Sequence, residues 1–200
     1  MLHLVFGPQA THCKELASIA DQLSAASSLL NPGSGTSADT APKLRSLSHQ
    51  VAGLRRKLET RLARAGSERV DPRLTSEAAA ELCAVVRLVS RVVRCREWLR
   101  LDPVPAELAE LQAVGLRRVE VLAEAARTLG SSGRWLSTPV VVQPMEAGAE
   151  ELYDRGVGRL FRGSLDPVEV LRRKAMYDVL LDLVLGSERA LEALQTASLE

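Results

Sequence analysis

The chain has 200 residues, of which 46% are apolar and only 3% aromatic, and its formal net charge is +1. This length suits a single domain with a sizeable core, and the near-neutral charge excludes a global field that would attract nucleic acid or an anionic membrane. The first residues lack the basic start and long apolar run of a signal peptide, and no stretch approaches the roughly 20 apolar residues of a membrane span. We therefore expect a cytoplasmic protein that binds no nucleic acid and does not insert into a membrane.

Three helices are predicted in the first half of the chain. Apolar residues spaced by three and four predict a first helix over 9–30. A breaker-rich loop at 31–41, which we expect to be mobile, precedes a second helix that begins near Pro42. Asp71-Pro72 opens the third helix, which has the most apolar face and is therefore expected to lie centrally. Its predicted core residues are Leu82, Val85, Val86, Val89, Val92 and Val93.

A firm break at 102–105 separates the halves, and a fourth helix is predicted from Ala106 to about Leu129, ended by the glycine-rich segment that starts at Gly130. The segment 135–143 is ambiguous, because its valine run suits a short extended piece while its proline disfavours the middle of a helix.

The last two helices are predicted over about 144–162 and from Asp166 to about Ala197. Asp166 is the expected N-cap, Pro167 takes the first helical position, and Glu169 completes a pattern like a capping box. Strand signals are weak throughout. The sequence therefore predicts one all-α domain, an up-and-down bundle of about six helices in two three-helix halves, about 1–101 and 105–200.

Residues that could carry chemistry are few. Cys13, Cys83 and Cys95 are widely spaced and read most simply as small hydrophobic residues in a reducing cytosol. His12 and Cys13 lack the further ligands of a metal site, and no histidine belongs to a recognisable catalytic triad. We therefore predict no cofactor and no catalytic residue.

The stretch from Met145 to about Leu194 carries the strongest pattern. It contains the acidic pair Glu146 and Glu150, then Leu160-Phe161, then Asp166-Pro167 and a basic triplet at 172–174. This order resembles the C-terminal half of the divergent PhoU-like proteins, which are small helical partners of Pit-type phosphate permeases. The resemblance implies a PhoU-like antiparallel bundle, a permease as partner, and a role in phosphate transport regulation.

PhoU-like proteins bind iron, zinc or other cations through acidic motifs whose two carboxylates lie four residues apart on one helix face. One such motif falls on Glu146 and Glu150, with Glu in place of Asp. The other three fall on residues that are not acidic: Leu181 and Leu185, Ser48 and Ala52, and Arg87 and Arg91. We therefore expect a degenerate metal site that holds no multinuclear cluster. The remaining pair is either a solvated acidic face or a weak site for one cation.

Arg87, Arg91 and Arg94 lie on one face of the most apolar helix, at positions i, i+4 and i+7. Arginine on such a face needs partners if it is buried. One hypothesis is that these guanidinium groups pair with Glu146 and Glu150, and the alternative is that they face water. Both remain open from the sequence.

The function that we favour at this point is a non-enzymatic accessory or regulatory protein that binds a partner protein. The alternative is a self-associating structural bundle, a homodimer for example, that has lost the metal site and its regulatory role. A metal-dependent enzyme of ferritin-like type is a third reading, but the Glu-x-x-His pairs that such sites use are missing.

Overall fold

The structure, a computed structural model, describes residues 9–31, 40–65, 71–101, 103–132 and 146–199, without side chains at 9–13, 65, 130–132, 146, 147, 198 and 199. The predicted all-α class is confirmed, with six helices in these ranges. They are α1 (Gln9–Ser28), α2 (Thr40–Ala65), α3 (Pro72–Leu99), α4 (Ala106–Ser132), α5 (Glu146–Arg162) and α6 (Pro167–Leu199).

The helix starts follow the predicted Asp-Pro signals. Asp71 Oδ1 accepts hydrogen bonds from the backbone N–H groups of Arg73 at 2.7 Å and Leu74 at 3.4 Å. Asp166 Oδ1 accepts from Val168 N at 2.8 Å in the same way. Each aspartate thereby satisfies N–H groups that a helix N-terminus leaves free.

Two details of the sequence prediction differ from the structure. Glu169 does not complete a capping box, because its carboxylate is held by Arg173 at 2.7 Å and lies 3.5 Å from Arg172. Helix α4 continues to Ser132 instead of ending before Gly130, since glycine disfavours a helix by only about 1 kcal/mol and keeps its N–H donor. The expectations for segment 135–143 and for most of the 31–41 loop lie outside the described residues.

The helix directions alternate along the chain. Arg127 of α4 contacts Asp21 of α1 at 3.2 Å, and Gln112, further back on α4, donates to the Leu30 carbonyl at the end of α1, so these helices are antiparallel. Helices α3 and α6 are also antiparallel, because Arg91 meets Asp182 while Arg172 donates to the Leu99 carbonyl. The predicted up-and-down order therefore holds for both pairs.

Four helices form the centre of the bundle, in the cyclic order α1, α3, α6, α4. Helix α2 packs outside on α1 and α3, and α5 packs outside on α4 and α6. Helix α3 is central as predicted, since all six of its predicted core residues are at most 1% exposed. The core is built of Leu, Val and Ala, with Tyr177 as its one fully buried aromatic side chain among the described residues.

The two halves share an internal arrangement. In each half, a buried glutamate near the start of the first helix forms an ion pair with an arginine near the end of the second: Glu15 with Arg61, and Glu107 with Arg159. The third helix of each half opens with Asp-Pro. The order of these features along α1–α3 is thus repeated along α4–α6.

The end of α1 is tied to its neighbours by side chains. Arg96 of α3 donates to the carbonyl oxygens of Leu29 at 3.0 Å and Leu30 at 3.2 Å. Gln112 of α4 donates to the Leu30 carbonyl at 2.7 Å. A cation at the C-terminus of a helix satisfies free carbonyls and complements the helix dipole. No helix within the described ranges combines the length and hydrophobicity needed to cross a lipid bilayer.

Candidate functional sites: a basic groove and an apolar end

The structure does not bring Glu150 of the acidic pair to the arginines of α3. Glu150 is exposed on α5, which packs on α4 and α6, whereas Arg87 and Arg91 lie on α3. The side chain of Glu146 lies outside the described residues. Within the described ranges, no three His, Cys, Asp or Glu side chains are arranged to hold a metal ion.

Arg91 has a different partner from the one that we hypothesised. Its Nη1 lies 3.0 Å from Asp182 Oδ2 on α6, not near Glu150, because α3 packs directly against α6. Both side chains are about half exposed, at 54% and 50%. An exposed pair of this kind contributes less than about 1 kcal/mol to stability. It is a surface contact between the two halves and not a replacement for a metal site.

Arg87 and Arg94 line a groove between α2 and α3, which we call the basic groove. It has a volume of about 380 Å³. Helix α2 contributes the cationic or titratable side chains Arg45 and His49, and all four of these side chains are exposed. The remaining lining residues are Ala41, Leu44, Ser48 and Ser90.

Within the described ranges, no ion pair joins a carboxylate to the basic groove. Among the described residues, Arg45, His49, Arg87 and Arg94 take part in none of the ion pairs of the bundle. Positions three and four residues away from Arg45 and Arg87 carry no acid in either direction, and Glu97, three residues after Arg94, forms none of the ion pairs of the described residues. The described side chains of the groove therefore form a concave patch with an excess of positive charge, which attracts anions.

The sequence pattern indicated the α3 side of this groove but not the α2 side. The arginine face on α3 was singled out, but Arg45 and His49 on α2 were not. Their spacing of four residues is the available signal, because it places both on one helix face. The pairing of α2 with α3 is needed to see that the two faces meet.

A second feature lies at the end of the bundle where α3 and α5 finish and α4 and α6 begin, which we call the apolar end. It holds every large apolar side chain that is exposed in the described part of the chain. They are Trp98 (73% exposed), Val104 (52%), Phe161 (64%), Leu165 (39%), Val168 (63%) and Leu171 (64%).

Polar contacts hold the helix termini of the apolar end together. Arg172 donates to the Leu99 carbonyl at 2.8 Å, which joins the start of α6 to the end of α3. The ion pair of Arg159 with Glu107 joins the end of α5 to the start of α4. Arg100, which follows α3, is the one non-glycine residue of the described chain with a left-handed backbone, at φ 46°. Such strain is found where surrounding structure over-determines the backbone, often at functional sites.

Tyr153, Lys174 and Asp178 form a hydrogen-bonded cluster between α5 and α6. Tyr153 donates to Asp178 at 2.7 Å, and Lys174 donates to both carboxylate oxygens at 2.8 Å. The bond to Asp178 raises the pKa values of Tyr153 and Lys174. Although partial burial of Asp178 opposes its ionisation, the bonds from Lys174 and Tyr153 lower its pKa overall. All three groups thus keep their ordinary charge at neutral pH, and the cluster ties two helices together without being poised for proton transfer.

Buried polar groups elsewhere have structural roles. Arg118 of α4 and Glu188 of α6 form an ion pair at 3.0 Å, with both side chains only 6% exposed. Burial raises the pKa of the Cys83 thiol, which is free and stays protonated at neutral pH. A protonated, buried thiol is a poor nucleophile and metal ligand, so Cys83 acts as a small core residue.

Two comparisons with known proteins found no relative of this chain. No protein-family model matches the sequence, and no curated protein matches it significantly.

Proposed function

We propose that this chain is a non-enzymatic accessory protein that acts by binding another protein through its apolar end. The observation that carries the proposal is the concentration of the exposed large apolar side chains at that one place. Apolar residues scattered singly over a surface are normal, whereas a group of them marks an interaction site. Trp98 and Phe161 are of the type that dominates binding energy at interfaces.

The charges beside the apolar end indicate what kind of partner segment would bind there. Arg100, Arg162 and Arg172 are exposed there. They suit a partner segment whose apolar side chains are flanked by acidic ones, because complementary charge speeds association and excludes wrong partners.

The resemblance to PhoU-like proteins supplies the identity of the proposed partner. It points to the cytoplasmic face of a Pit-type phosphate permease, which the chain would regulate from the cytoplasm. The support is the segment from Leu160 to Asp166-Pro167, which belongs to the stretch that carries the resemblance and also forms part of the apolar end.

The test is a binding measurement between the full chain and the Pit-type permease of the same organism, held in lipid nanodiscs. The double variant Phe161→Ser with Leu171→Ser should weaken binding at least about tenfold, because both side chains would be buried on association. The matched control is Arg56→Ser with Lys57→Ser, at exposed positions of α2. Absence of permease binding, or equal loss in both variants, would refute the proposal.

Sedimentation of the purified chain separates the alternative function. If the chain forms a dimer that Phe161→Ser with Leu171→Ser dissociates, and it binds no permease, the apolar end is a self-association surface instead.

A further inference from the structure

We infer that the basic groove binds a small oxyanion with more than one negative charge, of the phosphate-ester or pyrophosphate class. The inference is independent of the proposed partner binding, since the groove lies between α2 and α3 and uses no residue of the apolar end. It rests on three properties of the groove: its charge, its dimensions and the geometry of its donors.

The charge of the groove is the first property. Arg45, Arg87 and Arg94 each carry a full positive charge, and His49 adds a ring N–H hydrogen-bond donor. Elsewhere in the chain, arginines commonly meet an acid one turn away on their own helix, as Arg55 does with Glu59 at 2.7 Å. None of the ion pairs of the described residues includes Arg45, Arg87 or Arg94, so an external anion can meet their charge.

The dimensions of the groove favour a ligand longer than one phosphate group. Its volume of about 380 Å³ lies within the range of small-molecule sites. Arg87 and Arg94 are separated by seven residues on one helix, which is roughly 10 Å along the axis. A ligand with two anionic groups can offer a separate acceptor to each of these guanidinium groups. Ala41, in the first turn of α2, adds the partial positive charge of a helix N-terminus at one side.

The donors of the groove are guanidinium groups rather than hydroxyls. Ser48 and Ser90 already donate to the Leu44 and Val86 carbonyls of their own helices, both at 2.9 Å. Recognition thus depends on the planar fork of arginine, which makes two parallel hydrogen bonds to a phosphate. Lysine keeps the charge but loses this geometry. Arg87→Lys should therefore bind more weakly than the wild-type chain but better than Arg87→Gln.

The experiment is calorimetric titration of the full chain with inorganic pyrophosphate at moderate ionic strength. Arg87→Gln and Arg94→Gln should each weaken binding about tenfold, because each removes charge-assisted hydrogen bonds. Arg64→Gln is the matched control, since Arg64 is exposed on α2 at the other end of that helix. These residues are all exposed, so thermal melts of the variants should match that of the wild type.

Vesicles that contain phosphatidic acid distinguish a lipid headgroup from a free ligand. Pyrophosphate binding that Arg87→Gln with Arg94→Gln abolishes supports a soluble ligand. Vesicle binding alone, lost in the same double variant, supports the same groove with a headgroup as the source. The inference is overturned if neither probe binds, or if Arg64→Gln weakens binding as much as Arg87→Gln does.

Discussion

Gly156 of α5 offers a sharp test of how closely this outer helix packs on α6 of the central four. A Cβ atom at this position would lie 2.5 Å from three atoms at the tip of the Tyr177 ring. That is about 1 Å inside normal contact between carbon atoms. Tyr177 is fully buried, and its ring packs edge-on against Tyr153 with centroids 6.3 Å apart, so it has little room to move. Gly156→Ala should therefore overpack the contact between α5 and α6.

The size of this effect is best measured against Gly148→Ala on the same helix, where an added Cβ meets nothing within 4 Å. Both changes gain the helix propensity of alanine, roughly 0.5 to 1 kcal/mol, so this contribution cancels in the comparison. The remaining difference is the overpacking cost of about 1–3 kcal/mol. In a chain of this length it corresponds to a difference of about 2–12 °C in melting temperature. Equal stability of the two variants, by thermal and urea unfolding, would refute the close packing of Gly156 on Tyr177.

Further predictions concern charge and backbone. Glu188→Leu should lower the free energy of unfolding, measured in urea, by about 3–5 kcal/mol, because it leaves Arg118 buried without its carboxylate. Adding Arg118→Met should recover most of that loss, and a double variant as unstable as the single one would contradict this. Because the pKa of Asp178 is lowered on folding, its contribution to stability is complete above the unfolded value near 4 and is lost as pH falls through the lower folded value. Asp178→Asn should therefore lose less stability than the wild type between pH 5 and about pH 2 in acid unfolding, and parallel curves would contradict the shift. Arg100→Gly should stabilise the chain by about 1 kcal/mol in thermal unfolding, since glycine adopts the left-handed backbone without the cost that arginine bears, and a lower melting temperature would count against strain at this residue.

The fold was largely predictable from the sequence because its signals are local. Asp71-Pro72 and Asp166-Pro167 mark helix starts through hydrogen bonds within one turn, and the structure shows those bonds. The valine stripe of α3 predicted a buried, central helix because an apolar face of that width must be covered on several sides. The capping role of Glu169 was wrong for a local reason too, since two arginines on the same helix compete for its carboxylate.

The hydrophobic periodicity of the sequence could not predict the apolar end. Its members come from the ends of α3 and α5, from the start of α6 and from the connections before α4 and α6, so they are far apart along the chain. In the sequence, Val168 and Leu171 read as ordinary members of an apolar helix. Only the antiparallel packing of α3 on α6, seen in the bond from Arg172 to the Leu99 carbonyl, shows that Trp98 and Leu171 lie at the same end of the bundle.

The arginine face of α3 shows most clearly where sequence reasoning stops. The spacing of Arg87, Arg91 and Arg94 placed them on one face, and this is correct for an ideal helix. In the bundle, however, α3 contacts a different neighbour on each side of that face, with α6 beside Arg91 and α2 beside Arg87 and Arg94. Asp182 of α6 forms an ion pair with Arg91, whereas Arg87 and Arg94 lie beside Arg45 and His49 of α2. The same three residues therefore divide into an ion pair and half of a basic groove, and this division depends on which helices are adjacent and not on the pattern within α3.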